Sequence, residues 1–297
     1  ALCKDGSVAN HTDEAQTKRI VGFLRYSVVT QDGIGHFART RRAGFDGACA
    51  RVFDERRLAA RAALFEAVTW PCFRHQATLG VPFELCLLVS PLLPPRWRDR
   101  LEALVGDAAW ARMVEVEPAE RSVDVTERIA SDELAPGVRH VATFRIDDDD
   151  CVAGDYMTLL DAATNAAHAG KVHSFSRGFY AGLDAEERFF MYPRGNTNNA
   201  WGLAFVADAG DRRTIFSLGR HSRIFEAAEV VIDDRPGAWI RSVHDAGDQF
   251  VAPPAGGRGW LTRAEAERVA ADHFPFLDLG AVEAAFRTAR MTGSVSA

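Results

Sequence analysis

Nearly continuous apolar runs alternate with amphipathic stretches through the first half of the chain, and shorter strand-like runs between turn residues fill the second. Ile20–Thr30 (IVGFLRYSVVT) predicts the first strand, apolar enough to be covered on both faces. Arg25 interrupts it, and a charge in mid-strand either pairs in the core or faces a ligand near the sheet edge. Gln31–Asp54, with Gly33, Gly35, Gly44 and Gly47, reads as a loop. Glu55–Thr69 predicts a helix with Leu58, Ala62, Phe65 and Val68 on one face, and Arg61 lies on it. Trp70–Gln76 breaks and restarts the pattern.

Phe83–Ser90 (FELCLLVS) is the second core strand. Arg96–Val105 follows as a helix, with Pro95 suited to its start. Met113–Val116 predicts a third strand, Val125–Leu134 a helix and Val138–Ile146 a central strand. A helix over Asp155–His168 comes next. Strand–helix alternation of this kind predicts a mostly parallel sheet with helices on both faces. In the second half Val172–Leu183, Arg188–Pro193, Trp201–Ala207, Glu229–Ile232 and Ala238–His244 read as strands. Thr262–His273 and Gly280–Met291 read as closing helices, the first with a capping pair, Thr262 and Glu265. The expected fold class is therefore α/β. It has a Rossmann-type mixed sheet, mostly parallel in the N-terminal half and flanked by helices, with a β-rich C-terminal half. Residues 1–19 are expected to be poorly ordered and residues 20–297 to form a single domain.

The central strand runs straight into Asp147-Asp148-Asp149-Asp150. Such a cluster at the carboxyl edge of an open sheet lies where ligands bind in α/β folds. Adjacent carboxylates repel one another unless something positive sits among them, and a hard divalent cation with oxygen ligands is the natural neutraliser. In an extended turn, Asp147 and Asp149 would share one ion while Asp148 points elsewhere. The bland alternative is a solvated acidic loop. A second polar cluster, His244-Asp245-Ala246-Gly247-Asp248, ends the last strand.

Composition narrows the function classes. A net charge of −6 with no basic stripe gives no nucleic-acid footprint. Five cysteines without a CxxC pair favour a reducing compartment and argue against a zinc site. No run approaches the ~20 apolar residues of a membrane span, and no signal peptide is visible, so a cytoplasmic location is expected. Neither GxGxxG nor GxxxxGK[ST] occurs, which argues against a dinucleotide-binding Rossmann domain or a P-loop.

FLRYSVV (23–29), RAALFE (61–66), TWPCFRHQ (69–76), FELCLLVSPLLP (83–94), FRIDDDD (144–150), GRHSRI (219–224) and WIRSVHDAGD (239–248) occur in this order. Together they make the chain resemble the rhamnosyltransferase family of bacterial proteins, within the glycosyltransferases of the GT-A fold. The resemblance implies a GT-A-like sheet, with residues 20–170 as the nucleotide-binding half and 171–297 as the acceptor-side half. A nucleotide-diphosphate-sugar donor, a glycan or other hydroxyl acceptor, and Mn2+ or Mg2+ follow from it. Asp147 and Asp149 would be the Asp-x-Asp metal pair, with His244 as a further metal ligand and His221 as its reserve. Asp148 or Asp150 would meet the ribose or the ion. Arg25, Tyr26 and Ser90 would contact the nucleotide. Arg145 would pair with an Asp or a phosphate, or form a structural ion pair. Asp245 and Asp248 are candidates for the base that takes the acceptor proton, or else solvated turn residues. Trp201 would be a stacking wall for the acceptor sugar, with His221 on the same side, or else a core residue. A nucleotide-sugar hydrolase and a catalytically silent nucleotide- or carbohydrate-binding module are the alternatives. In this chain Asp245-Ala246-Gly247-Asp248 stands where the family carries a Gly-Asn-type stretch.

Overall fold

The fold is taken from a computed structural model that describes residues 17–33, 44–132, 136–197, 199–247 and 253–291. In chain order its strands are β1 (Lys18–Tyr26), β2 (Glu84–Val89), β3 (Ala111–Glu115), β4 (His140–Asp147), β5 (Cys151–Val152) and β6 (Lys171–Phe175). β7 (Arg177–Leu183), β8 (Phe189–Gly195), β9 (Leu203–Asp208), β10 (Glu229–Asp233) and β11 (Trp239–Val243) follow. The larger sheet has the order β10-β6-β9-β4-β1-β2-β3. Its β3-β2-β1-β4 part is parallel, and β9 enters antiparallel between β4 and β6. This is the GT-A-like mixed α/β architecture expected. A smaller sheet, β5-β11-β7-β8, lies beyond it.

Burial explains why the core strands read as unbroken apolar runs. Ile20 and Leu24 of β1 join Leu85, Leu87 and Phe144 in one core, while Val21 and Phe23 join Cys86, Leu88 and Val141 on the opposite face. Alternate residues serve opposite layers, so both sets must be apolar. Gly22 is needed for packing: a Cβ there would overlap the Phe144 ring of the neighbouring strand.

Three expectations are corrected. The supposed loop Gln31–Asp54 contains a helix, Gly44–Val52, with Ala48 buried; its glycines masked the helical part. Trp70–Gln76 does not interrupt the preceding helix. Glu55–Leu64 passes through a π turn, Phe65–Thr69, into a helical Trp70–Gln76, and Pro71 follows directly on the π turn. The run Val172–Leu183 is two strands, β6 and β7, which belong to different sheets and part at Ser176. An apolar pattern records burial, not which sheet provides it. The capping pair of the Arg263–His273 helix forms as expected: the Glu265 amide donates to the Thr262 hydroxyl, and the Thr262 amide to the Glu265 carboxylate.

The two sheets meet at the acidic run. β4 ends at Asp147, and β5 begins at Cys151 and pairs with β11, Val152 opposite Trp239 and Cys151 opposite Ile240. The polypeptide therefore turns from one sheet into the other within the four carboxylates, and β11 brings its own end alongside them.

Candidate functional site

The acidic run is a tight turn, not an extended one: the Asp150 amide donates to the Asp147 carbonyl at 3.3 Å. Its side chains consequently part differently from the expected alternation. Asp147 is half-exposed at the sheet edge, 3.8 Å from Arg25, its register partner across β1. Asp148 is completely buried and forms an ion pair with Arg61. Asp149 Oδ2 accepts from Arg61 at 2.8 Å and lies 2.7 Å from His244 Nε2. Asp150 points to the smaller sheet, where its carboxylate accepts from the Ser242 amide at 2.9 Å.

The long π-bulged helix supports this turn from behind. Arg61 supplies its cation. Thr69 Oγ1 donates to the Asp150 carbonyl at 2.8 Å, Cys72 Sγ to the Val152 carbonyl and Gln76 Nε2 to the Ala153 carbonyl at 2.7 Å. Gln76 Oε1 also accepts from the Met157 amide at 3.0 Å. Four side chains of one helix thus hold consecutive parts of the segment 148–157. The π turn re-phases the helix between Arg61 and Thr69, so that residues before and after it face the same segment.

Charge in the turn is sharply divided. Burial would raise the Asp149 pKa, but Arg61 and His244 outweigh it and hold the carboxyl well below the usual carboxylate range. Burial, then the charges of Asp149 and Asp147, push Asp150 well above it. Positive side chains gather around Asp147. Arg25 and Arg145 lie over the Phe216 ring, 5.6 and 5.2 Å from its centroid. Burial and the neighbouring Arg25 lower Arg145 to about 10. His221 is lowered to about 4 by burial and by Arg145, Arg25 and Arg241. Arg241 lies over Tyr180 and Trp201 and also feels the charges of Asp150 and Asp149. The sheet edge therefore carries a cationic group beside a buried acid–imidazole pair.

A profile described as "Putative rhamnosyl transferase" matches residues 19–255, which include all of both sheets but Lys18 and every contact of the acidic run. The chain belongs to this family. No curated protein matches the chain significantly. Among solved structures it is similar to a "putative glucose-1-phosphate thymidylyltransferase" from Bacillus anthracis, at 8% identity over 86% of this chain and 94% of that one, with a TM-score of 0.36. It is also similar to the inositol-1-phosphate CTP transferase from T. maritima, at 14% identity over 86% and 96%, with a TM-score of 0.34. Likenesses this distant carry no argument about activity. Membership makes the protein a sugar transferase by family.

In this family member the residues expected at the site are placed as follows. Asp149 and His244 come together. Asp147 joins Arg25, Arg145 and His221. Asp148 is enclosed with Arg61, away from any rim. Tyr26 is buried against Phe65, and burial raises its hydroxyl to about 12. Ser90 is fully buried in a turn, its hydroxyl accepting from the Leu92 amide. Trp201 is a core residue, its ring 4.2 Å from Trp239, with Arg241 against it from the cationic side. Asp245 is exposed next to His244, and Asp248 lies outside the described residues.

A dication fits this donor set in a restricted form. Neighbouring ligands on an octahedral ion with ~2.1 Å bonds stand about 3 Å apart. Asp149 Oδ2 and His244 Nε2, 2.7 Å apart, approach that spacing. Among the described residues no third His, Cys, Asp or Glu completes a cluster. Ligand oxygens and water would have to supply the rest, as is usual for magnesium.

Sequence reasoning gave Arg61, Thr69, Gln76 and Arg241 no role. For Arg61 a signal existed: it lies three residues after Leu58 and four before Phe65, on the apolar face of its helix, where an arginine must be paired.

Proposed function

We propose that the protein is a metal-dependent glycosyltransferase that moves a sugar from a nucleotide-diphosphate-sugar donor to a hydroxyl of a glycan or related acceptor. Rhamnose is the sugar that the family description names. The observation carrying this reading is the buried Asp149–His244 pair at the carboxyl edge of β4, with Arg241 near it and Arg25 and Arg145 around the neighbouring Asp147. Asp149 and His244 would hold Mn2+ or Mg2+, which when bound offsets the charge that grows on a departing diphosphate. Arg61 keeps Asp149 ionised and fixed in place. Arg25, Arg145 and Arg241 attract the same diphosphate from the solvent side, in partly buried surroundings where their charge is poorly screened. Asp245, adjacent to His244, is the side chain we assign to accept the proton of the attacking hydroxyl.

A thermal-shift panel of nucleoside diphosphates, with and without manganese, tests this. A ligand at a hundred times its Kd stabilises the native state by about 2.7 kcal/mol. A preferred diphosphate should raise the melting point more with manganese, and Asp149→Asn should abolish the manganese-dependent part. Survival of that part in the variant would sink the ligand assignment. Sugar release at full rate without any acceptor would favour a hydrolase instead.

A further inference from the structure

The end of β11 borders a second space. A cavity of about 440 Å3 lies between the β7–β8 turn, the segment 253–260 and the last helix, with His244 and Asp245 in its wall. That is the size of a small-molecule site. Val243, Pro254, Trp260 and Phe286 give it apolar walls. Its charged groups nearly balance: Asp184, Glu186 and Asp245 stand against Arg188 and Arg290. Both arginines at its rim are engaged. Arg188 pairs with Asp184 and Glu186 at 2.6 and 3.2 Å, and Arg290 donates to the carbonyls of Asp184 and Ala185.

This chemistry differs from that around Asp147. A diphosphate is drawn to Arg25, Arg145 and Arg241, whereas the cavity's arginines are already paired and its charges nearly cancel. A neutral polyol suits the cavity, because sugar rings offer an apolar face for an aromatic wall and hydroxyls for acceptors. Two of the lining residues also carry a ring nitrogen that is closed off and without a partner. Among the described residues neither Trp260 Nε1 nor His244 Nδ1 makes a hydrogen bond, although a buried indole N–H normally finds one.

We propose that this cavity binds the sugar unit of the acceptor as a neutral glycoside. Its ring lies against Trp260, and its reacting hydroxyl is turned toward His244. The proposal rests on the glycosyltransferase reading above. It makes His244 the partition between two subsites of unlike charge, with the diphosphate on the Asp149 side and the acceptor on the Trp260 side.

The test uses the full chain labelled with 15N-tryptophan, the Trp260 indole signal being identified by its loss in Trp260→Phe. Methyl α-rhamnoside, methyl α-mannoside and methyl β-glucoside are titrated separately from thymidine and uridine diphosphates with magnesium. At least one glycoside should move the Trp260 signal. The diphosphates should leave it in place. Trp260→Ala should weaken glycoside binding by at least about tenfold. The other tryptophan signals report whether the variant is folded. The proposal is overturned if no glycoside moves the Trp260 signal, or if only the diphosphates do. A glycoside shift with no diphosphate binding anywhere would leave a carbohydrate site standing and remove the glycosyltransferase reading, so the two fail separately.

Discussion

Replacing Arg61 by Met removes one charge and keeps most of the stem that packs in the core. Asp148 is fully buried, and among the described residues Arg61 is the cation within reach of it. Asp149 also loses a partner but keeps His244. Removing one member of a buried ion pair costs about 3–5 kcal/mol. The chain has one escape, which is to protonate Asp148. Keeping a carboxyl of ordinary pKa ~3.9 protonated costs about 1.36 kcal/mol per pH unit above that value, hence about 4 kcal/mol at pH 7 and about 1.5 kcal/mol at pH 5. Arg61→Met should therefore lose about 4 kcal/mol at pH 7, and the deficit should shrink by more than half at pH 5. Urea titration followed by circular dichroism at both pH values measures it. The double variant Arg61→Met with Asp148→Asn should recover most of the loss at pH 7, because an amide needs no counter-charge. The reasoning is refuted if the single variant stays within about 1 kcal/mol of the parent at pH 7, or if its deficit is equal at the two pH values.

Gln76→Ala removes two buried hydrogen bonds, to Ala153 and Met157, and should cost about 2–4 kcal/mol. Hydrogen exchange at the Met157 amide should accelerate with it, and an unchanged rate there would contradict the assignment. Gly22→Ala sets a methyl against the Phe144 ring and should cost about 1–3 kcal/mol, partly recovered by Phe144→Leu. If Gly22→Ala melts like the parent, the close approach is not needed. Burial, with the neighbouring His168, lowers His173 to about 4, below its unfolded value of ~6.5. Its contribution to stability is therefore full above pH ~6.5 and is lost as the pH falls toward 4. Melting curves between these limits should show a shallower decline for His173→Gln, and identical slopes would exclude the assignment.

Most of the large sheet was legible because its strands are buried on both faces and so carry continuous apolar runs that end in chemistry-bearing residues. The acidic run and His244 were found as separate strand ends, and their meeting was expected from the family resemblance. Direct reading of the residues could not supply it, since it depends on β5 pairing with β11 across nearly a hundred residues of chain. The turn at 147–150 was misread because side-chain alternation holds only for extended backbone, whereas a single hydrogen bond between Asp150 and Asp147 closes it. The switch between sheets at Ser176 left no mark, because Phe175 and Phe179 are buried in the same core although their strands belong to different sheets. Trp260 stands in a Gly-rich stretch that reads as loop, and only the tertiary fold shows what it faces.

The strand order has a consequence for how the protein can be built or divided. β5 precedes residue 170 yet belongs to the smaller sheet, while β6, β9 and β10 follow it and complete the larger one. A division of the chain at that residue therefore has no counterpart in the two sheets. Fragments separated at that point would each expose an unfinished sheet edge, and neither could be exchanged between relatives as a module.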